Sequence, residues 1–171
     1  MARKPKKSDS VAVAKRQPNE REAVAMASAK VAYGIRPIRA EIEAREGDNP
    51  NAVNIGPRHA DANGHSYLLC DALGTTSNDF TSAGLLALVR MAIKDETPSV
   101  EAVNASLALV GAIGPQNELE GALALQMVAT HDLSMDLLHR AKHATTRDAM
   151  RDFANLATKL SRTFAVQMKI R

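Results

Sequence analysis

The second half of the chain has the apolar spacing that is typical of amphipathic helices. Over residues 79–94 and 98–110, apolar side chains recur every three or four positions. Thr97, Pro98 and Glu101 have the order of a helix start, with Thr97 as the cap and Pro98 in the first helical position. We therefore predict two helices here, and the second should end at the glycines that follow it.

The longest helical patterns lie at about 116–144 and 147–170, and Thr145 and Thr146 between them can cap the second helix. The apolar stripe of the first lies within about 100° of a helical wheel and comprises Leu119, Leu123, Met127, Thr130, Ser134, Leu137, Leu138 and Ala141. The stripe of the second comprises Met150, Phe153, Ala157, Leu160, Phe164 and either Gln167 or Met168. Two long helices joined by a short turn predict an antiparallel hairpin.

The first half has weaker patterns. Residues 20–33 and 38–46 are candidates for short helices, and residues 50–65 have the Pro, Gly, Asn and Asp content of a loop. Residues 66–73 predict one or two helical turns. Residues 1–19 hold six cations and two prolines with little apolar surface, which predicts disorder.

Composition supports a helical fold. Hydrophobic residues make up 45% of the chain but aromatic residues only 3%, so the core must be aliphatic, and such cores favour helices over sheets. No segment shows a clean strand alternation. We predict an all-α protein in which residues 1–65 form a largely disordered basic arm with short helical segments. Residues 66–171 should form a helical domain with the long hairpin and shorter helices packed on it.

Charge is distributed unevenly and suggests a polyanionic partner. Residues 1–50 carry 11 basic and seven acidic side chains, residues 51–144 carry five and ten, and residues 145–171 carry six and two. Basic ends of this kind favour contact with nucleic acid or an acidic protein. The candidate nucleic-acid-binding residues are Arg3, Lys4, Lys6, Lys7, Lys15, Arg16, Arg147, Arg151, Lys159, Arg162 and Lys169.

Several classes of protein are disfavoured. Cys70 is the only cysteine, so the chain has no internal disulfide and no cysteine-based zinc site, which indicates a cytoplasmic protein. No apolar run approaches the roughly 20 residues of a membrane span. No phosphate-binding loop or nucleophile elbow is present, so we predict no enzyme activity and no cofactor.

One histidine-rich segment keeps a metal-dependent enzyme open as an alternative. His139 and His143 are spaced as ligands on successive helical turns, and Asp136 and His139 have the spacing of half a ferritin-like carboxylate site. His131 lies on the same broad face. A complete site needs further carboxylates from facing helices, and the last helix supplies no Glu or His.

From Asn78 onward the chain resembles a family of small proteobacterial proteins that often accompany prophages and mobile elements. The resemblance covers about residues 78–168. It is carried by Asp79-Phe80 with Gly84-Leu85-Leu86, by the run from Glu118 to His131, by Met135 and Arg140-Ala141, and by the run from Leu156 to Met168. The resemblance implies a helical, accessory and non-enzymatic protein.

We therefore expect a non-enzymatic helical interaction protein that forms homo-oligomers through the hairpin and contacts nucleic acid through its basic ends. The resemblance also singles out four polar residues as buried groups that would fix the register of the hairpin: Gln126, His131, Arg162 and Gln167. A protein-binding inhibitor or assembly factor that binds no nucleic acid is the remaining alternative.

Overall fold

The structure is a computed structural model that describes residues 16–45, 54–94 and 97–170. The chain divides into two units after Ile38, and the described element of the first unit is helix α1 (Glu20–Gly34). The elements of the second unit are, in order, β1 (Ile42–Arg45), β2 (Asn54–Pro57), α2 (Ala62–Leu73), α3 (Asn78–Met91), β3 (Ile93–Lys94), β4 (Thr97–Pro98), α4 (Val100–Ile113), α5 (Glu118–Lys142) and α6 (Arg147–Ile170).

Helix α1 confirms the predicted helix at 20–33 and begins at a capping box. The Asn19 side chain accepts a hydrogen bond from the Glu22 backbone N–H at 3.0 Å, and the Glu22 carboxylate accepts one from the Asn19 N–H at 2.8 Å. None of the residues of α1 is buried. Local capping therefore supplies the visible stabilisation of this helix.

The predicted helix at 38–46 is wrong over its described part. Strand β1 pairs antiparallel with β2, with Ile42 opposite Pro57. The Asn104 side chain explains the difference, because it accepts a hydrogen bond from the Ile42 N–H at 2.8 Å and donates one to the Ile42 carbonyl at 2.9 Å. A side chain that satisfies both backbone groups holds this residue extended, and tertiary contacts of this kind override weak helix propensity.

The predicted loop at 50–65 is also only partly correct. Residues 50–53 lie outside the described part of the chain, residues 54–57 form β2, and α2 begins at Ala62 after its cap, Asp61. The predicted domain boundary at residue 65 falls inside the second unit, because Ala40 and Ile42 are buried in the same apolar core as the helices.

Helices α2, α3 and α4 enclose the core with the first half of α5. Helix α3 matches the predicted helix at 79–94 except at its end, where β3 pairs with β4. The predicted cap of α4 is wrong, because Ser99 rather than Thr97 accepts a hydrogen bond from the Ala102 N–H, at 3.2 Å. The fully buried side chains of this core are Ile42, Leu73, Leu88, Val103, Leu107, Val110 and Ala124.

Helices α5 and α6 lie side by side in opposite directions. The connection between them is short, and Thr146 caps α6 as predicted by accepting a hydrogen bond from the Ala149 N–H at 3.2 Å. The Ser134 and Ser161 hydroxyls are 2.8 Å apart, and the rings of His131 and Phe164 are 5.4 Å apart. These two contacts fix which residues of α5 and α6 stand at the same level.

The predicted apolar stripes are only partly buried. On α5, Met127, Ser134 and Ala141 are buried, whereas Leu119 is 81% exposed. On α6, Ala157 and Gln167 are buried, and Met168 is 53% exposed, so Gln167 rather than Met168 continues the seam. Across the three described ranges, no helix has the length and apolar character that crossing a bilayer requires.

Gly121 provides a stability test, because α5 passes very close to the end of α2 there. A Cβ at this position would collide with the Leu73 carbonyl oxygen and lie 3.1 Å from the Phe80 ring. We expect Gly121→Ala to lower the free energy of unfolding by about 1–3 kcal/mol in urea titrations, despite the better helix propensity of Ala. Gly34→Ala is the control, since nothing lies within 4 Å of that position. Equal stability of the two variants would contradict the close packing.

Candidate functional site

A row of cations runs along the outer side of α6. Arg147, Arg151, Arg162 and Lys169 lie within about 60° of arc on the helix, with Lys159 at the edge of the row. All five are exposed, and the buried Ala157 and Gln167 lie on the other side of the helix. We call these five residues the cationic ridge.

Among the residues that the structure describes, most of the cationic ridge has no ion-pair partner. Arg151 pairs with Asp148 at 3.2 Å, but both side chains are strongly exposed, so this pair contributes little. The other four cations form no salt bridge or side-chain hydrogen bond with any residue that the structure describes. Their charges are therefore available to a ligand.

The other cationic candidates lie at the N-terminus. Arg3, Lys4, Lys6, Lys7 and Lys15 lie outside the described residues. Arg16 forms an ion pair with Glu22 through both terminal guanidinium nitrogens. The hydrogen bond from Arg16, and then the bond from the Asn19 backbone, holds the pKa of Glu22 below its ordinary value. Arg16 is thus engaged by the cap of α1 and is not a free cation.

The four polar residues predicted at the helix interface have different environments. Gln126 and Arg162 are exposed, so they do not form the predicted buried hydrogen bonds. His131 is exposed beside the Phe164 ring. Gln167 is buried, with 6% of its surface exposed, but its Oε1 has no hydrogen-bond partner within the described part of the chain.

Two serines perform the role that was predicted for those residues. The Ser134 hydroxyl is buried 2.8 Å from the Ser161 hydroxyl and donates to the Ala157 carbonyl at 3.3 Å. Ser134 stands out in the sequence only as a small residue in the apolar stripe. Its hydrogen bond could not be predicted, because the partner lies 27 residues away in the chain.

The histidine cluster does not assemble a metal site in the described ranges. The His139 and His143 rings are 4.5 Å apart, but Asp136 accepts a hydrogen bond from Arg140 at 2.7 Å, and His131 contacts Phe164. No group of three or more His, Cys, Asp or Glu side chains in residues 16–45, 54–94 and 97–170 is arranged to hold a metal ion.

A second surface of the hairpin is apolar. Ser134 and Ala157 mark the sides of α5 and α6 that face each other. On a helical wheel, a row of leucines on α5 lies about 20–100° from Ser134. A row of leucines on α6 lies about 60–100° from Ala157, and both rows are displaced in the same rotational sense. Because the helices are antiparallel, this shared sense puts both rows on one side of the hairpin. This hairpin face comprises Leu119, Leu123, Leu133 and Leu137 of α5 and Leu156 and Leu160 of α6.

The hairpin face is open to solvent. Leu119, Leu133 and Leu156 are 81%, 50% and 48% exposed, respectively. At the start of α5 the face continues into a groove of about 730 Å³ that Ile113 and Met127 help to line. Arg147, Arg151, Arg162 and Lys169 of the cationic ridge lie on the opposite side of the hairpin, and Lys159 lies at the edge between the two surfaces. The two surfaces can therefore bind different partners.

No protein-family profile matches the chain, and neither curated proteins nor solved structures give a significant match.

A buried histidine near β1 and β2 gives the fold a pH dependence. His65 is 6% exposed, and burial lowers its pKa from 6.5, with smaller contributions from His59 and Arg45. The unfolded chain therefore binds a proton more readily than the folded chain. We expect the free energy of unfolding to fall as the pH drops below about 6.5.

His65→Gln should remove the part of the low-pH destabilisation that His65 causes. Urea midpoints measured between pH 8 and pH 5 test this. A variant that keeps the full pH dependence of the wild type would show that another group is responsible.

Proposed function

We propose that this chain is a non-enzymatic helical accessory protein that binds nucleic acid through the cationic ridge without reading its sequence. The observation that carries the proposal is the row of exposed cations on one side of α6, of which only Arg151 has an ion pair with a residue that the structure describes. In line with the family resemblance, its setting is a bacterial or phage-derived element.

The shape of the ridge favours a linear polyanion over a compact one. Arg147 and Lys169 are 22 residues apart, which on a straight helix is a rise of about 33 Å, close to one turn of duplex DNA. The phosphates of a nucleic acid continue along such a length, whereas an acidic patch on a globular protein rarely extends so far. Nucleic acid is therefore the preferred ligand.

The composition of the ridge favours contact with the backbone rather than with bases. Its residues are Arg and Lys alone, and the exposed aromatic side chains Tyr33 and Tyr67 lie on other helices. Binding without an aromatic platform rests on phosphate contacts, which are strongly salt-dependent and insensitive to sequence.

The competing functions differ in their support. The geometry does not support the ferritin-like alternative, because the side chains proposed for it make separate contacts instead of meeting at one centre: His131, Asp136, His139 and His143. An inhibitor or assembly factor that binds an acidic protein would use the same ridge. The binding experiment distinguishes that class from the proposed one.

We expect the full chain to bind a random-sequence duplex at low salt and to release it as salt increases. The variant carrying Arg147→Gln, Arg151→Gln, Arg162→Gln and Lys169→Gln should bind more weakly. The slope of log K against log salt should become shallower by about 3.6, since each lost phosphate contact removes about 0.9. Fluorescence anisotropy across a salt series measures both effects.

The control is Arg90→Gln, which removes an exposed cation from α3 and should leave the slope unchanged. Intact protein that fails to bind duplex at low salt would rule out the proposed function. Binding that the four-residue variant retains in full would exclude the ridge as the binding surface.

A further inference from the structure

The hairpin face has no cover among the described elements. Helix α6 has α5 as its main neighbour, so a single helix packs along its length. Its apolar arc spans about 100° and reaches around to Leu156, and one neighbouring helix cannot cover so wide an arc. The leucines of α5 extend the same apolar surface, so two adjacent helices share one open face.

We propose that a second copy of this chain covers the hairpin face, so that two hairpins form a four-helix bundle. This inference goes beyond the proposed nucleic-acid binding and does not depend on it. A face that is two helices wide fits a second such face, because paired two-helix layers are the ordinary architecture of a helical bundle. The leucines of one layer then pack between those of the other.

The size of the face is sufficient for a specific dimer. The Ser134–Ser161 and His131–Phe164 contacts place about residues 125–142 of α5 beside α6, so the part that is two helices wide is about 27 Å long and about 20 Å wide. Covering it buries about 540 Å² on each copy, or about 1,100 Å² in total, which exceeds the roughly 1,000 Å² expected of a specific interface.

Charge selects one arrangement of the two hairpins. The contacts at Ser134–Ser161 and His131–Phe164 place Asp136 at the level of Lys159, and Arg140 within about one helical turn of the level of Asp152. All four side chains are exposed and border the outer edges of the face. If the two-fold axis is parallel to the helices, α5 of one copy lies over α6 of the other at equal levels. Opposite charges then meet on both edges.

Analytical ultracentrifugation of the full chain tests the dimer. The wild type should sediment as a concentration-dependent dimer. Leu133→Glu and Leu156→Glu should each raise the dissociation constant by about 100-fold or more, because the symmetric dimer would bury two copies of the new carboxylate. Leu133 and Leu156 are 50% and 48% exposed, so their replacement leaves the folded chain intact.

The matched control is Met135→Glu, which changes a residue of α5 that is 53% exposed on the opposite side of the hairpin. It should leave the dissociation constant unchanged. A wild type that stays monomeric at high concentration would overturn the proposal, as would a dimer that Leu133→Glu and Leu156→Glu do not weaken. A monomer that still binds duplex would leave the proposed function standing.

Cross-linking tests the arrangement. In a Cys70→Ser background, chains with Asp136→Cys are mixed with chains carrying Lys159→Cys under mild oxidation. The parallel arrangement predicts a disulfide-linked dimer from the mixture and much less from either chain alone. If the mixture forms no more disulfide-linked dimer than the separate chains do, the parallel arrangement is overturned.

Discussion

The close approach of other segments to α5 is the constraint on which the second unit depends. At Gly121 there is room for the Leu73 carbonyl and the Phe80 ring, and Ala124 is fully buried beside the core helices. Further along, Ser134 allows α6 to approach within hydrogen-bond distance. Small residues on one helix thus join the helical core to the hairpin, since close-packed interiors have no room for larger side chains at these contacts.

The helical elements were largely predictable, because their signals are local. Caps such as Thr146 and the three-to-four spacing of apolar residues lie within a few positions of the structure that they specify. Strand β1 was not predictable for the opposite reason. Its extended backbone depends on Asn104, which lies 62 residues away from Ile42, and no local pattern encodes that contact. The cap of α4 was misplaced because Thr97 and Ser99 are both good caps, and only the pairing of β4 decides between them.

The candidate site was predictable to the extent that it depends on helical periodicity. The cations of α6 fall on one side because of their spacing, and the structure places all five at the surface. The polar contacts between α5 and α6 were harder to predict, because Gln126 and Arg162 have suitable chemistry but lie outside the contact between the helices. Ser134 and Ser161 form the hydrogen bond instead, and serine in a sequence carries no sign of whether it will be buried.

The cationic ridge and the hairpin face lie on opposite sides of the same two helices. A dimer joined through the face therefore presents two ridges that point away from each other. If the ridge binds nucleic acid as proposed, such a particle would be bivalent toward it, and neither ridge could reach the segment held by the other. It would hold two separate segments side by side and compact long molecules, and short duplexes that occupy only one ridge would gain no avidity from the second.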